Sequence, residues 1–260
     1  MNKRINKSEI ERYSRQIVLK NIGIIGQKKI LNAKILIIGA GGLGCPVIDN
    51  LTRSGVKNIT IADDDKVSLS NLHRQTMYYT NDIGKFKVDV IKNKIKKINP
   101  SSKVNIIKKK ITDVNLSKII KKFDILVDGS DNFKTKFLLN DYSIRYKKIL
   151  ITGAISKFDG HVFSFNFKNY KVPCLRCFYQ TEPSNDILNC ESEGIIGTAA
   201  NIIGSIQANE VLKNILNLKN SLDGSILIIN LLTLNFRKIS FSKKKNCTCY
   251  KWKKKFLYYY

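Results

Sequence analysis

The sequence predicts the α/β class: a doubly wound, Rossmann-like and mainly parallel sheet, with an antiparallel extension on its C-terminal side. Three observations lead there. Short apolar runs alternate with amphipathic helical segments from residue 34 to residue 152. The first of these runs ends in Gly39, Gly41 and Gly44, spaced G-x-G-x-x-G, and the second ends in the acid Asp63, the layout of a nucleotide-binding βαβ unit. After Gly160 the alternation gives way to aromatic-rich strands, a cysteine-bearing stretch and one long helix.

Taken in order, residues up to about Asn32 show helical periodicity and charge without a strand signal. A strand is predicted over 34–39 and a helix over 42–54, with Gly55 at its C-cap and Pro46 in its first turn, where the missing N–H costs little. A strand over 58–63 follows. Val88, Ile91, Ile95 and Ile98 recur at helical spacing in 85–98, and Asn99 and Pro100 end that helix. Next come a strand over 103–108, a short helix over 114–121, a strand over 123–128, a helix over 132–146 and a strand over 149–152. Strand–helix repetition of this kind implies parallel strands covered on both faces. His161–Phe167 reads as a strand, 198–218 as a helix, and 225–231 with 234–241 as an antiparallel pair. No Pro/Gly/Ser-rich linker interrupts the chain. A single domain is expected over 1–249, with a nucleotide-binding core over about 34–155, a second part over about 156–249, and a basic aromatic tail over 250–260.

The 260 residues are 43% hydrophobic, enough for one large core. No apolar run is long enough for a membrane helix, and the basic start lacks a secretory apolar region, so a cytoplasmic protein without membrane contact is expected. The net charge of +26 comes mostly from dispersed Lys amid many Asn and Ile, which reads as composition bias and argues against nucleic acid as the partner. A positive field of this size still attracts ATP and acidic proteins. The tail interleaves Lys with Trp252, Phe256 and Tyr258–Tyr260; this could suit nucleic acid or a membrane surface, but a frayed terminus is the preferred reading.

Gly39 permits a tight turn, Gly41 lets the backbone approach a phosphate and Gly44 lets the helix lie close on the strand; with Gly42 and Leu43 between them, backbone N–H groups at the helix N-terminus face an anion. Asp63 is placed to accept ribose hydroxyls, with Asp64 and Asp65 beside it. The segment 67–75 brings Asn71, Arg74 and Gln75 to a strand end, where Arg offers a planar fork to phosphate oxygens. Lys87 adds a point charge, and Asp131 with Asn132 follows the strand ending at Asp128, a carboxylate suited to Mg²⁺. Hydride transfer needs no such set of cations and metal carboxylate; attack on a phosphate of ATP does.

These motifs, together with Arg12–Gln16, Ala62–Asp65, Ser70–Gln75 and Asp128–Asn132, resemble the MoeB/ThiF/HesA family, bacterial relatives of the ubiquitin-activating enzymes, from about residue 9 to residue 249. The resemblance implies an ATP-dependent adenylyltransferase. Its substrate would be the C-terminal glycine of a small ubiquitin-fold sulfur carrier ending in Gly-Gly, for molybdopterin or thiamine-thiazole synthesis. It implies that Gly41 and its loop line ATP, that Asp63 holds the ribose, and that Asn71, Arg74, Gln75 and Lys87 contact the phosphates or adjoining groups. It further implies that Asp131 binds Mg²⁺ and that Arg15 reaches into a partner subunit's site, hence a homodimer. Residues 39–45 and 153–160 are similar to the molybdopterin branch, which is slightly preferred; Ala62–Asp65 and the cysteine at 190 are similar to the thiamine branch. No rhodanese-like extension follows, so the sulfur donor, a cysteine desulfurase or rhodanese, is expected to be a separate protein. His73 is read as a polar neighbour of the phosphates and not as a base.

Six cysteines do not suggest a disulfide framework. Cys174 and Cys177 form C-x-x-C, and Cys247 with Cys249 supplies a second pair, so four thiolates are available for a closed structural Zn²⁺ site. The family has C-x-x-C in both places, and the shorter second pair leaves a redox role for Cys174 and Cys177 open. Cys190 aligns with a family cysteine that is covalently loaded in some relatives and dispensable in others; Glu191 and Glu193 beside it do not favour a thiolate. Cys45 is expected to be a packing residue. Two rival readings stand beside the main one. An NAD(P)-dependent oxidoreductase explains only residues 34–63, and a tRNA-modifying relative suits the charge but not the paired cysteines.

Overall fold

The computed structural model describes residues 5–179, 194–219 and 222–247. Its centre is one eight-stranded sheet in the order β3-β2-β1-β4-β5-β6-β7-β8. The strands are β1 (Lys34–Ile38), β2 (Asn58–Ala62), β3 (Lys103–Ile107), β4 (Ile125–Asp128), β5 (Ile149–Ser156), β6 (Asp159–Asn166), β7 (Ser225–Asn230) and β8 (Asn235–Ser240). The pairs among β1–β5 are parallel, and those joining β5 to β6, β7 and β8 are antiparallel.

The apolar runs form central strands because both sheet faces are covered. In β1, Ile35 and Ile37 enter one core cluster while Leu36 and Ile38 enter the other, the two-residue period of a strand expressed on both sides. The first face carries α4 (Gly44–Ser54), α5 (Lys87–Ile98) and α9 (Gly197–Leu216). The second carries α6 (Asp113–Ile119), α7 (Phe133–Arg145) and the short α8 (Leu175–Phe178). Gly55 caps α4 in the left-handed region at φ 102°, as the sequence predicts. α9 lies tightly on α4: a Cβ on Gly204 would sit 2.4 Å from the Pro46 ring and 2.6 Å from the Leu43 carbonyl oxygen.

The first 32 residues resolve into α1 (Lys7–Arg12), α2 (Ser14–Ile17) and α3 (Gly23–Asn32). An Asn6–Glu9 capping box starts α1. Two elements differ from expectation. The helix expected over 114–121 tightens into a 3₁₀ turn at Ile120–Lys122. The strand expected to stop at 152 runs on to Ser156. At Gly153, just past the expected end, the Gln207 side chain crosses so close that a Cβ would lie 2.7 Å from its amide. It is a close-approach glycine within a strand that β6 pairs along its whole length.

Candidate active site

The order reverses at β1, which has β2 on one side and β4 on the other; ligands of doubly wound sheets bind outside the strand ends at such a point. The register makes this unavoidable here. Ile38 pairs with both Ala62 and Asp128, so the loops beginning at Gly39, Asp63 and Gly129 leave the sheet at one level. They enclose a cleft of about 330 Å³.

Gly39 adopts φ 90°, and a Cβ there would lie 2.7 Å from the Gly129 carbonyl oxygen. Gly44 does not line the cleft, although it was expected among the nucleotide-contacting residues. A Cβ on it would sit 2.0 Å from the Gly39 oxygen, so its part is to let α4 start directly beneath the loop. Gly41, Gly42 and Leu43 do line the cleft, and the N-termini of α4 and α7 border it.

Asp63 accepts the Ala40 N–H at 2.7 Å on one carboxylate oxygen and the Asp65 N–H at 2.8 Å on the other. Burial raises its carboxyl above the ordinary range, opposed by these N–H groups and by the Lys87 charge. Lys87 is buried, and its ammonium lies 3.0 Å from the exposed Asp65 carboxylate. Arg74 donates to the Ser70 carbonyl at 2.8 Å, and the same nitrogen lies 2.8 Å from His73 Nε2. Asn71 accepts the Ser68 N–H at 3.3 Å, which closes the turn presenting Arg74. Gln75 is buried with its Oε1 unpaired, and its Nε2 would be 3.7 Å from a Cβ on Gly41. Across the cleft Asp131 is exposed and accepts from Asn132 Nδ2 at 3.2 Å, while Asn132 Oδ1 caps α7 through the Thr135 N–H at 2.9 Å. Asp63, Asp65, Asn71, Arg74, Gln75, Lys87, Asp131 and Asn132 all border this cleft, whereas His73 does not.

Sequence reasoning assigned no role to the cleft floor. Asp128, wholly buried, accepts from Lys136 Nζ at 3.0 Å, from the Thr152 hydroxyl, and from the Ser130 N–H at 2.9 Å. Lys136 also donates to the Gly153 carbonyl at 2.6 Å. Removing one partner of such a pair strands a buried charge, at a cost of about 3–5 kcal/mol. The available signal was a lysine on the buried helical face between Phe133 and Phe137. Lys109 and Lys110, also unassigned, add positive charge to the rim.

Arg15 stands apart. It is exposed on α2 and does not border this chain's cleft. Cys45 is fully buried, and burial pushes its thiol up to about 12, in keeping with a packing role. Cys174, Cys177 and Cys247 form one buried cluster, with all three sulfurs within 4.8 Å of one another. The 174–177 and 174–247 sulfur distances are 3.8 and 3.5 Å, far longer than a disulfide. A tetrahedral zinc–thiolate site with bonds of about 2.3 Å spaces its sulfurs by about 3.8 Å, so the three fit a metal. Cys190 and Cys249 lie outside the described residues.

Comparison with known proteins agrees with this geometry. The family model "ThiF family" matches residues 13–251. A red-alga protein from Gracilaria tenuistipitata var. liui, named "Probable molybdopterin-synthase adenylyltransferase", is 40% identical over 245 residues, covering 94% of this chain and 68% of that protein. The "Sulfur carrier protein adenylyltransferase" of Thermus thermophilus is 35% identical over 248 residues, covering 94% of this chain and 92% of that protein. Among solved structures, E. coli MccB with AMPCPP and MccA superposes with a TM-score of 0.81 at 26% identity, covering 94% of this chain and 75% of that one. The chain belongs to the ThiF family and is, like the relatives it matches, an adenylyltransferase.

Proposed function

We propose that the protein uses ATP and Mg²⁺ to adenylylate the C-terminal glycine of a small ubiquitin-fold sulfur carrier ending in Gly-Gly, of the molybdopterin (MoaD-like) or thiamine (ThiS-like) type. The observation that carries this reading is the convergence of Arg74, Lys87 and Asp131 opposite the glycine loop in one cleft. The carrier carboxylate attacks the α-phosphate, its oxygen forms the new P–O bond, and pyrophosphate leaves with the electrons of the broken one. Both reactants are anions, so the barrier is largely electrostatic. Arg74 and Lys87 offset the phosphate charge, the loop N–H groups bind phosphate oxygens, and Asp63 takes the ribose. The exposed carboxylate of Asp131 suits Mg²⁺, which prefers one or two carboxylates plus phosphate oxygens and water. Bound there, the ion would screen the charge that grows on pyrophosphate. No proton transfer is required, which fits a cleft whose lining, among the described residues, holds no histidine.

Cys174, Cys177 and Cys247, completed by Cys249, would hold Zn²⁺ as a structural clamp. A cytoplasmic, reducing setting fits the sulfurs of Cys174, Cys177 and Cys247, whose 3.8 and 3.5 Å separations exceed a disulfide bond. Among the described residues no helix is long and apolar enough to cross a membrane.

A homodimer with shared sites accounts for Arg15. Its helix is followed by exposed Val18, Leu19, Ile24 and Ile25, two of them 74% exposed, an apolar surface suited to a second copy of the chain. Mixing Arg15→Ala with Asp131→Ala protein should restore part of the activity that each lacks alone, because a hybrid dimer holds one site with both residues intact. Absence of any recovery would rule out action across subunits.

The direct experiment incubates the protein with ATP, Mg²⁺ and MoaD-like or ThiS-like carriers and reads intact mass. A carrier gaining one AMP at its C-terminus is the expected result. Thermal protection by NAD in place of ATP with Mg²⁺, and no AMP adduct, would overturn the reading. The same spectra report on Cys190: a carrier adduct on that residue assigns it a covalent role, and an unmodified Cys190 leaves activation at the adenylate.

A further inference from the structure

Tyr78 joins two segments that line the cleft, the glycine loop and the turn carrying Arg74 and Gln75. Its N–H donates to the Gln75 carbonyl at 3.2 Å, which ties it to the turn carrying Arg74 and Gln75. Its hydroxyl donates to the Ala40 carbonyl at 2.7 Å, inside the glycine loop. The Cys45 thiol points at the same oxygen from 3.4 Å, a weaker second donor. Tyr78 is buried in the core, and burial pushes its ionisation far above the ordinary tyrosine range, so the phenol stays a neutral donor.

The consequence lies in one peptide plane. The Ala40 carbonyl and the Gly41 N–H belong to the same planar trans unit and point in opposite directions. Anchoring the carbonyl toward the core therefore aims the Gly41 N–H outward, and Gly41 lines the cleft. The preceding peptide is held separately, through the Ala40 N–H on Asp63. Without an anchor the 40–41 plane could turn over, because Gly41 tolerates φ values closed to other residues.

Resting on the adenylylation reading above, we infer that Tyr78 is a positioning residue. Through the Ala40 carbonyl it holds the Gly41 N–H toward the nucleotide phosphates and couples the glycine loop to the Arg74–Gln75 turn. Cys45 is its auxiliary donor. Tyr78 never touches the ligand, so its effect is on ATP affinity and not on the chemical step.

Tyr78→Phe tests this, since it keeps the ring in the core and deletes only the hydroxyl. The KM for ATP should rise about tenfold, because binding must then return a turned-over 40–41 peptide plane to the orientation that the ligand needs. The kcat and the KM for the carrier should stay within about twofold, and the melting temperature within about 2 °C. Tyr78→Phe with Cys45→Ala should raise the KM for ATP further, while Cys45→Ala alone should have a small effect. An unchanged KM for ATP in Tyr78→Phe, or a parallel loss of kcat, carrier affinity and thermal stability, would reduce Tyr78 to core packing and overturn the inference. ATP-dependent thermal protection separates the two levels of the argument. A wild-type protein that ATP with Mg²⁺ does not protect defeats both the function and this inference; equal protection of wild type and Tyr78→Phe defeats only the inference.

Discussion

Carrier-dependent pyrophosphate exchange should fall by about 10³-fold or more when Asp131 is replaced by Ala, with the loss in kcat. The size follows from the charge the proposed reaction must manage: an anionic nucleophile meets a polyphosphate, and the exposed Asp131 carboxylate at the cleft is the group proposed to bring a divalent cation there. The fold should not notice. Asp131 is exposed, its described bond is to Asn132 Nδ2, and the cap of α7 belongs to Asn132. A melting temperature within about 2 °C of the wild type is therefore expected, as for most surface substitutions. Asp131→Asn keeps an oxygen ligand without the charge and should fall between the two. Exchange that persists at the wild-type rate in Asp131→Ala would remove this residue from the mechanism.

Stripping metal from the cysteine cluster should cost stability and not chemistry. A strong chelator, or Cys174→Ser, is expected to lower stability by about 5 kcal/mol, roughly 10–20 °C in melting temperature for a chain of this size. The cluster ties the segment after β8 to α8, and it sits in the second core cluster beside Phe163, Phe165 and Ile226. Losing the metal would release Cys247 and loosen the aromatic contacts around it, including those of Phe241 with Phe163, Phe165 and Phe178. The cleft lies at the strand ends near Gly39 and Asp131, and none of the cluster residues lines it. Residual protein that remains folded should keep its KM for ATP. Metal analysis of the purified protein that finds no zinc, with a chelator leaving the melting curve in place, would retire the site.

The fold was legible because its signals are local. The run Lys34–Ile38 can only be a strand buried on both faces, since every second residue would otherwise expose an isoleucine or a leucine to water. Gly39, Gly41 and Gly44 mark a turn that other residues could not make, and the structure shows why for two of them: a Cβ on Gly39 or Gly44 would collide with backbone oxygen. One strand boundary was placed short: β5 was expected to stop at 152, whereas Gly153 continues it and marks the passage of Gln207, a residue 54 positions away. Gly44, expected to let its helix lie close on the strand, leaves a space filled by its own loop.

What the sequence determined by itself was the alternation of strands and helices, the glycine turn, and an inventory of cations, carboxylates and thiols at strand ends. These are properties of residue type and spacing, and they act over one turn or one strand. Only the tertiary structure decided which of those groups meet. Pairing of Ile38 with both Ala62 and Asp128 puts three loops on one rim, and it leaves Arg15 outside that rim. It also decided that Lys136 neutralises Asp128 beneath the cleft and that Tyr78 hangs on the Ala40 carbonyl. Such contacts arise from register and close packing between segments far apart along the chain, and no local pattern encodes which two residues a sheet will bring within 3 Å.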